Sequence, residues 1–408
     1  MSKQSKILSI PVLVAALGYF VDIYDLVLFS IIRVPSLTAL GLSGADLEQK
    51  GLWLLNIQMI GMLIGGIVWG VLGDKNGRLS VLFGSIVLYS LANILNAYVE
   101  NITQYGILRF LAGVGLAGEL GAGITLVSEI LKKEDRGWGT TIVATVGVSG
   151  AILAGVLGNS IPWTTCYIVG GVLGLSLLLM RVGVFESGLY KASKQVGHKM
   201  GSLSLLFSKR SRVFTYIKCI LIGLPIWYTI GILITLSPEL GRELGIQGTI
   251  KPALSIMFCY TGVTLGDLTS GIMSQLLKSR KKVLQLFVAA TLLMVIGYFY
   301  MDGATVEQFY ILFVILGFAA GYWAVLITTA SEQFGTNIRA TVTTSVPNFI
   351  RAALVPITIV YSMLQGFGIH KLNSAMYTGI ACCVIAFIAA SMLKESFHKE
   401  LDYHETNE

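Results

Sequence analysis

Residues 128–137 read SEILKKEDRG, and residues 331–340 read SEQFGTNIRA. Each stretch closes an apolar run with a glutamate and sets an arginine seven residues later. Glu129 and Glu332 are 203 positions apart, as are Arg136 and Arg339. Moving outward, Phe185-Glu186-Ser187-Gly188 is echoed by Lys394-Glu395-Ser396-Phe397 at an offset of 209. GVLGDKNGRLS (70–80) has a degraded counterpart in GIMSQLLKSRKK (271–282), at an offset of about 201. One such pair is within the reach of chance. Three in the same order at nearly constant offset describe a parallel duplication of one large unit.

The segments between these loops define that unit. Hydrophobic residues make up 54% of 408, charged residues 12%, and mean hydropathy is +0.76. An average soluble protein carries about twice that share of charge. Apolar runs of about 20 residues are long enough to cross a bilayer. Twelve are read, at roughly 10–32, 52–72, 80–99, 105–131, 139–160, 163–181, 213–238, 251–277, 283–301, 306–331, 341–364 and 372–393. The expected fold is all-α and integral to the membrane, with twelve transmembrane helices as two six-helix pseudo-repeats. Residues 1–182 form the first bundle, 183–212 a linker, and 213–408 the second bundle with a short tail. The first run carries charge and lacks a small-residue cleavage pattern, so it reads as a retained span rather than a signal peptide.

Topology follows from the basic residues. With the N-terminus inside, 22 of the 29 lysines and arginines fall in cytoplasmic segments and five in outer loops, with Arg33 among the five. The remaining two, Arg109 and Arg351, lie within spans. The positive-inside rule places both termini in the cytoplasm. The net charge of +7 is therefore a topological signal and not a nucleic-acid one. The basic linker segment KASKQVGHKMGS (191–202) has the composition to meet anionic headgroups, or is simply a solvated linker. Five cysteines lie in apolar segments without metal-ligand spacing, and four histidines lie outside the spans or at their ends. Neither a metal site nor a histidine relay is expected, and no cofactor.

Ionisable residues inside spans are expensive and mark transport paths or interior contacts. They are Asp22 and Asp25 in YFVDIYDLVLF (19–29), Arg109, Glu119, Asp267 and Arg351. Residues three apart share a helix face, which places Asp22 beside Asp25. Two carboxylates close together in poor solvent resist joint ionisation, which suits a site that loads and releases protons as a pair. Arg109 is the natural countercharge. Other readings stand beside these: Asp22 as an acceptor for a broken first helix, Glu119 as an inter-helix hydrogen bond, and Asp267 as a polar packing contact. Arg351, which follows Pro347 and Asn348, is either an anion ligand or a helix-end cation.

These residues resemble the major facilitator superfamily of secondary transporters. Gly73-Asp74-Lys75-Asn76-Gly77-Arg78 is similar to its GDxxGR signature, and Arg109 in RFLAGVGLAGE to its fourth-helix arginine with trailing glycines. Glu129 with Arg136, Glu186, and Glu332 with Arg339 resemble the cytoplasmic charge network of sugar and metabolite porters. The resemblance implies that Asp74, Arg78, Glu129, Arg136, Glu332 and Arg339 latch the inner side shut, where simple topology signals are the plainer alternative. Ile23-Tyr24-Asp25 stands where that family has a proton-coupling aspartate paired with the fourth-helix arginine. Asp22 with Asp25 resembles a phosphate:proton symporter motif, and Gly118-Glu119 resembles a symporter Gly-Gly-Glu.

In duplicated carriers the substrate lies near the midplane between the repeats. The resemblance makes Tyr24, Arg109, Trp227, Tyr228, Trp323, Asn348 and Arg351 the candidates for contacting it. Tyr19 and Tyr322 lie in the same cavity-lining spans. The seventh span, IGLPIWYTIGILITLSPEL (222–240), lacks the amides with which sugar porters hold hydroxyls. Two intramembrane arginines, each suited to bidentate carboxylate or phosphate contacts, favour proton symport of an organic anion or phosphate. A neutral-metabolite symporter, a proton-driven exporter and a non-transporting ligand sensor are the alternatives. No nucleophile–base pair or phosphate-cradling loop suggests an enzyme. The expected partners are a small solute, protons and lipid, with a monomer in a bacterial inner membrane.

Overall fold

A backbone surrounded by hydrocarbon has to satisfy its hydrogen bonds internally, and this chain does so with helices. The computed structural model describes residues 10–76, 78–118, 133–184 and 206–397. In the first half of the chain lie α1 (Ile10–Ala39), α2 (Gly44–Asn76), α3 (Arg78–Asn96), α4 (Ile102–Leu116), α5 (Lys133–Val148), α6 (Gly150–Ser160) and α7 (Trp163–Val184). The second half begins with α8 (Arg210–Ile222), α9 (Leu224–Tyr228), a π-helical turn (Thr229–Ile234) and α10 (Ser237–Glu243). It continues with α11 (Pro252–Leu276), α12 (Arg280–Tyr298), α13 (Val306–Ala320), α14 (Trp323–Gln333), α15 (Thr336–Ala352), α16 (Leu354–Gly366) and α17 (Lys371–Met392). Among the described residues, β pairing is limited to one bridge, Gln247 with Thr305. Nine helical stretches there are long and apolar enough to cross a membrane.

Local chemistry sets several ends. Asn101 caps α4 by accepting from the Gln104 N–H, and Thr305 with Gln308 forms a reciprocal capping box at α13. Pro238 and Pro252 occupy the first turns of α10 and α11, where a missing N–H costs nothing. α1 is unbroken, so Asp22 does not serve a broken first helix. It also runs to Ala39, well past the expected end at residue 32, and carries Arg33 inside. The assignment of Arg33 to an outer loop is therefore corrected: it is fully buried and ion-paired.

The interruptions fall in two other places. Between α8 and α10 the helix is interrupted at Gly223, widens into the π turn and restarts at Ser237-Pro238, whose proline cannot donate to the preceding turn. Between α13 and α14 it opens at Gly321 and Tyr322. The two breaks touch, because the Tyr322 hydroxyl donates to the carbonyl of Ile222 at 2.9 Å. Glycine permits the closest packing. At Gly113 of α4 a side chain would run into the backbone of Gln58 on α2, so these helices meet backbone to backbone. Gly266 of α11 meets the backbone at the end of α13 in the same way.

Candidate functional site

Four of the intramembrane charges named from the sequence, Asp22, Asp25, Arg109 and Arg351, are fully buried and converge on α1. Asp22 and Asp25 sit on one face of its middle. Arg351, near the end of α15, reaches across from the second half of the chain, its Nη2 3.2 Å from Asp22 Oδ2. Ionising two such groups away from water is costly, and each makes the other tolerable.

Arg109 projects from α4 and takes a different set of partners. Its Nη1 donates to Gln58 Oε1 at 3.3 Å and its Nη2 to Asn93 Oδ1 at 3.4 Å. The guanidinium also lies over the rings of Phe29 and Tyr167, 5.7 and 5.4 Å from their centres. Asp25 lies within its electrostatic reach and also within that of Asp22, with the Asn93 amide alongside. Apart from the Asn93 amide, no side-chain donor serves the oxygens of Asp25. Arg109 and Asp25 thus share one buried compartment without an ion pair between them. The pairing that forms, Asp22 with Arg351, joins residues that the sequence did not link.

The remaining candidates divide. Asn348, one turn before Arg351, donates to the Ala117 carbonyl at 3.0 Å, a second link between the chain halves. Trp323 is buried at the start of α14, with its indole beside the Tyr19 hydroxyl. Tyr19 lies within the fields of Arg351, Asp22 and Asp267. Tyr24 donates to the Cys166 carbonyl at 3.0 Å, and Tyr228 donates to the Ala375 carbonyl at 2.6 Å. Both tyrosines are thereby committed to neighbouring helices. Trp227 is buried with its N–H unpaired. Asp267 Oδ1 accepts the Ala324 N–H at 2.9 Å and so caps the buried first turn of α14.

Two further sets of polar contacts flank this centre. On the side expected to face outward, Arg33 Nη2 lies 2.5 Å from Glu239 Oε1 and 3.1 Å from the Thr235 carbonyl. Nearby, Glu48 of α2 accepts from Lys371 at 2.8 Å and from Tyr361 at 3.3 Å. These contacts tie the first half of the chain to the second. At the opposite end, Arg280 pairs with Glu332 at 3.2 Å, and Ser396 donates to the same glutamate at 2.7 Å. Glu395 accepts from Ser279 and from the N–H of Arg280, the latter at 2.9 Å.

Glu119, Glu129, Glu186 and Gly77 lie outside the described residues, as do the side chains of Asp74, Arg78, Arg136 and Arg339. Gly73 falls within α2. Of the expected inner network, Glu332 is therefore the member with described side-chain contacts. Arg280 is one of the basic residues of the 271–282 segment that echoes 70–80. It stands 202 residues after Arg78, so the repeat itself held the signal. Gln58 and Asn93 were also overlooked, although each is an amide inside an apolar run.

With this geometry in place, comparison with known proteins is informative. The Major Facilitator Superfamily model matches residues 15–355. A protein named "Probable 4-methylmuconolactone transporter" from Cupriavidus pinatubonensis is 27% identical over 343 residues, covering 79% of this chain and 76% of that protein. The 3-(3-hydroxy-phenyl)propionate transporter of Escherichia coli is 29% identical over 310 residues, 72% of each chain. In fold, the solved structure of a proton:xylose symporter matches with a TM-score of 0.71 over 98% of both chains, at 17% identity.

Proposed function

The chain belongs to the major facilitator superfamily, and we propose that within it this protein is a proton-coupled carrier of small organic acids working by alternating access. The observation that carries this reading is the convergence of two buried arginines and two buried aspartates in one compartment. Such a set can neutralise a carboxylate in transit and exchange protons with it. The relatives named for 4-methylmuconolactone and 3-(3-hydroxy-phenyl)propionate support an organic acid over phosphate or sugar.

In this reading twelve spans form bundles at 1–182 and 213–408, joined by the linker 183–212, with both termini cytoplasmic. The carrier is a monomer in a bacterial inner membrane. Arg33, Glu48, Glu239 and Lys371 close the outer side. Asp74, Arg78, Glu129, Arg136, Glu186, Glu332 and Arg339, with Arg280 added, act as the inner latch. Asp25 carries the coupling proton within reach of Arg109, and Glu119 is a relay candidate.

The test is uptake of labelled 3-(3-hydroxyphenyl)propionate into liposomes containing the purified protein. An acid exterior accelerates uptake, and Asp25→Asn abolishes the acceleration. Uptake indifferent to the gradient in both forms would defeat the reading.

A further inference from the structure

We propose that Arg351 takes the carboxylate of the transported acid, and that Asp22 is the resident carboxylate which this substrate displaces. The proposal rests on the organic-acid reading and assigns its anion subsite. Arginine presents five N–H donors in a flat fork. Arg351 contacts Asp22 through Nη2, while its Nε and Nη1 have no acceptor in the protein although the side chain is fully buried. A ligand carboxylate makes two parallel hydrogen bonds to such a fork, more than the single nitrogen contact with Asp22 provides. Arg109 differs in this respect. Both of its Nη atoms are held by amide oxygens, and two aromatic rings flank it. Arg109 is an anchored charge, whereas Arg351 has coordination to spare.

Charge makes the exchange a proton-coupled one. A second carboxylate on Arg351 while Asp22 stays ionised would set two anions against one buried cation, which favours protonation of one of them. The ionisable groups that face Asp22 are Asp25 and Tyr19 on α1 and Arg351 on α15; Tyr260 on α11 faces Arg351 and Tyr19, and Asp267 on α11 faces Tyr19. Arg109 on α4 acts on Asp25. Arg351 is the cation paired with Asp22, so substrate binding and proton uptake by Asp22 become one event, separate from the proton that Asp25 carries in the proposed transport cycle. The Asp22–Arg351 pair also spans the two halves of the chain. Replacing it with a ligand therefore alters a contact on which their relative position depends. Trp323 and Tyr19 offer aromatic surface beside the pair.

Binding to detergent-purified full-length protein, by calorimetry from mildly acid to mildly alkaline pH, tests this. The probes are 3-(3-hydroxyphenyl)propionate, benzoate, and 3-(3-hydroxyphenyl)propanol as the uncharged analogue. Wild-type affinity for the acids should fall with rising pH, by about tenfold per unit where a single coupled group titrates. Asp22→Asn should bind the acids with a flat pH profile and keep its affinity at alkaline pH. Arg351→Gln should lose at least about tenfold in acid affinity, the loss of a charge-assisted pair, with binding of the alcohol unchanged. Arg351→Lys should recover part of it. The double variant Asp22→Asn/Arg351→Gln leaves no lone buried charge and controls for folding. Asp22→Asn with the wild-type pH slope, or Arg351→Gln with wild-type acid affinity, overturns the assignment. If gradient-driven uptake persists in those variants, the carrier reading stands and only the subsite fails. Wild-type protein that binds neither acid at any pH overturns both.

Discussion

Arg33 and Glu239 form a buried ion pair at 2.5 Å between α1 and α10, across the two halves of the chain. Arg33 also donates to the Thr235 carbonyl, just past the π turn where regular helical bonding is interrupted. One arginine thus ties α1 to the restart of a broken helix. Removing one member of a buried pair costs about 3–5 kcal/mol, because the other is left charged and unpaired. Arg33→Met and Glu239→Met are each expected to lower thermal stability in detergent by that order. The double variant should recover most of it, since a well-packed apolar pair often matches a buried ionic one. Additive losses would mean that the two residues are not coupled.

Gly113 supports Arg109 indirectly. Its α-carbon faces the backbone of Gln58, the residue whose side-chain oxygen receives Arg109 Nη1. A methyl group there pushes against backbone, which cannot rotate away. Gly113→Ala should cost about 1–3 kcal/mol by overpacking. It should also reduce uptake more than Gly297→Ala, a position with nothing nearby. Equal behaviour of the two variants in stability and uptake would remove the argument.

The elements that could be read from sequence were those whose physics is local. Run length pointed to the apolar helical stretches among the described residues, and the recurring Glu-Arg spacing is local enough to be read as a duplication without any contact. Arg33 lies inside α1 and not in an outer loop, because a charge paired with Glu239 is tolerated within a helix, and that partner is 206 positions away. Asp22 and Arg351 lie 329 positions apart, and no periodicity links them. The same holds for the breaks at Pro238 and Gly321. Proline and glycine occur there, but the groups that satisfy the freed backbone, Asp267 and Arg33, come from other helices.

Glu395 offers a pH test outside the membrane-spanning segments. Burial works to raise its pKa, but hydrogen bonds from Ser279 and from the N–H groups of Arg280, Phe397 and Ser396 outweigh it. They hold the carboxyl below its ordinary value of 4.5. A depressed folded pKa stabilises the protein above the ordinary value, and that contribution is lost as pH falls through the lower, folded one. Glu395→Gln should therefore lower the melting temperature at neutral pH and narrow its gap to wild type in acid. A gap that widens on acidification would reverse the sign and rule out this role.

Asp267 is the acceptor that makes the α13–α14 break tenable. α14 begins in a buried region, and its Ala324 N–H would otherwise point at nothing in the preceding turn. On the other side of the break, Thr291 donates to the Ala319 carbonyl at 2.9 Å, so both frayed ends are served by neighbouring helices. An N-terminal cap is worth about 0.5–2 kcal/mol, and the helix dipole adds to it when the acceptor is charged. Asp267→Ala should lose that stability and, because Trp323 opens the same turn, shift the tryptophan fluorescence. Asp267→Asn keeps an oxygen acceptor and should retain most of the stability. If Asn and Ala are equally damaging, the charge itself is what α14 requires. If neither variant moves the melting temperature or the fluorescence, Asp267 does not hold the break.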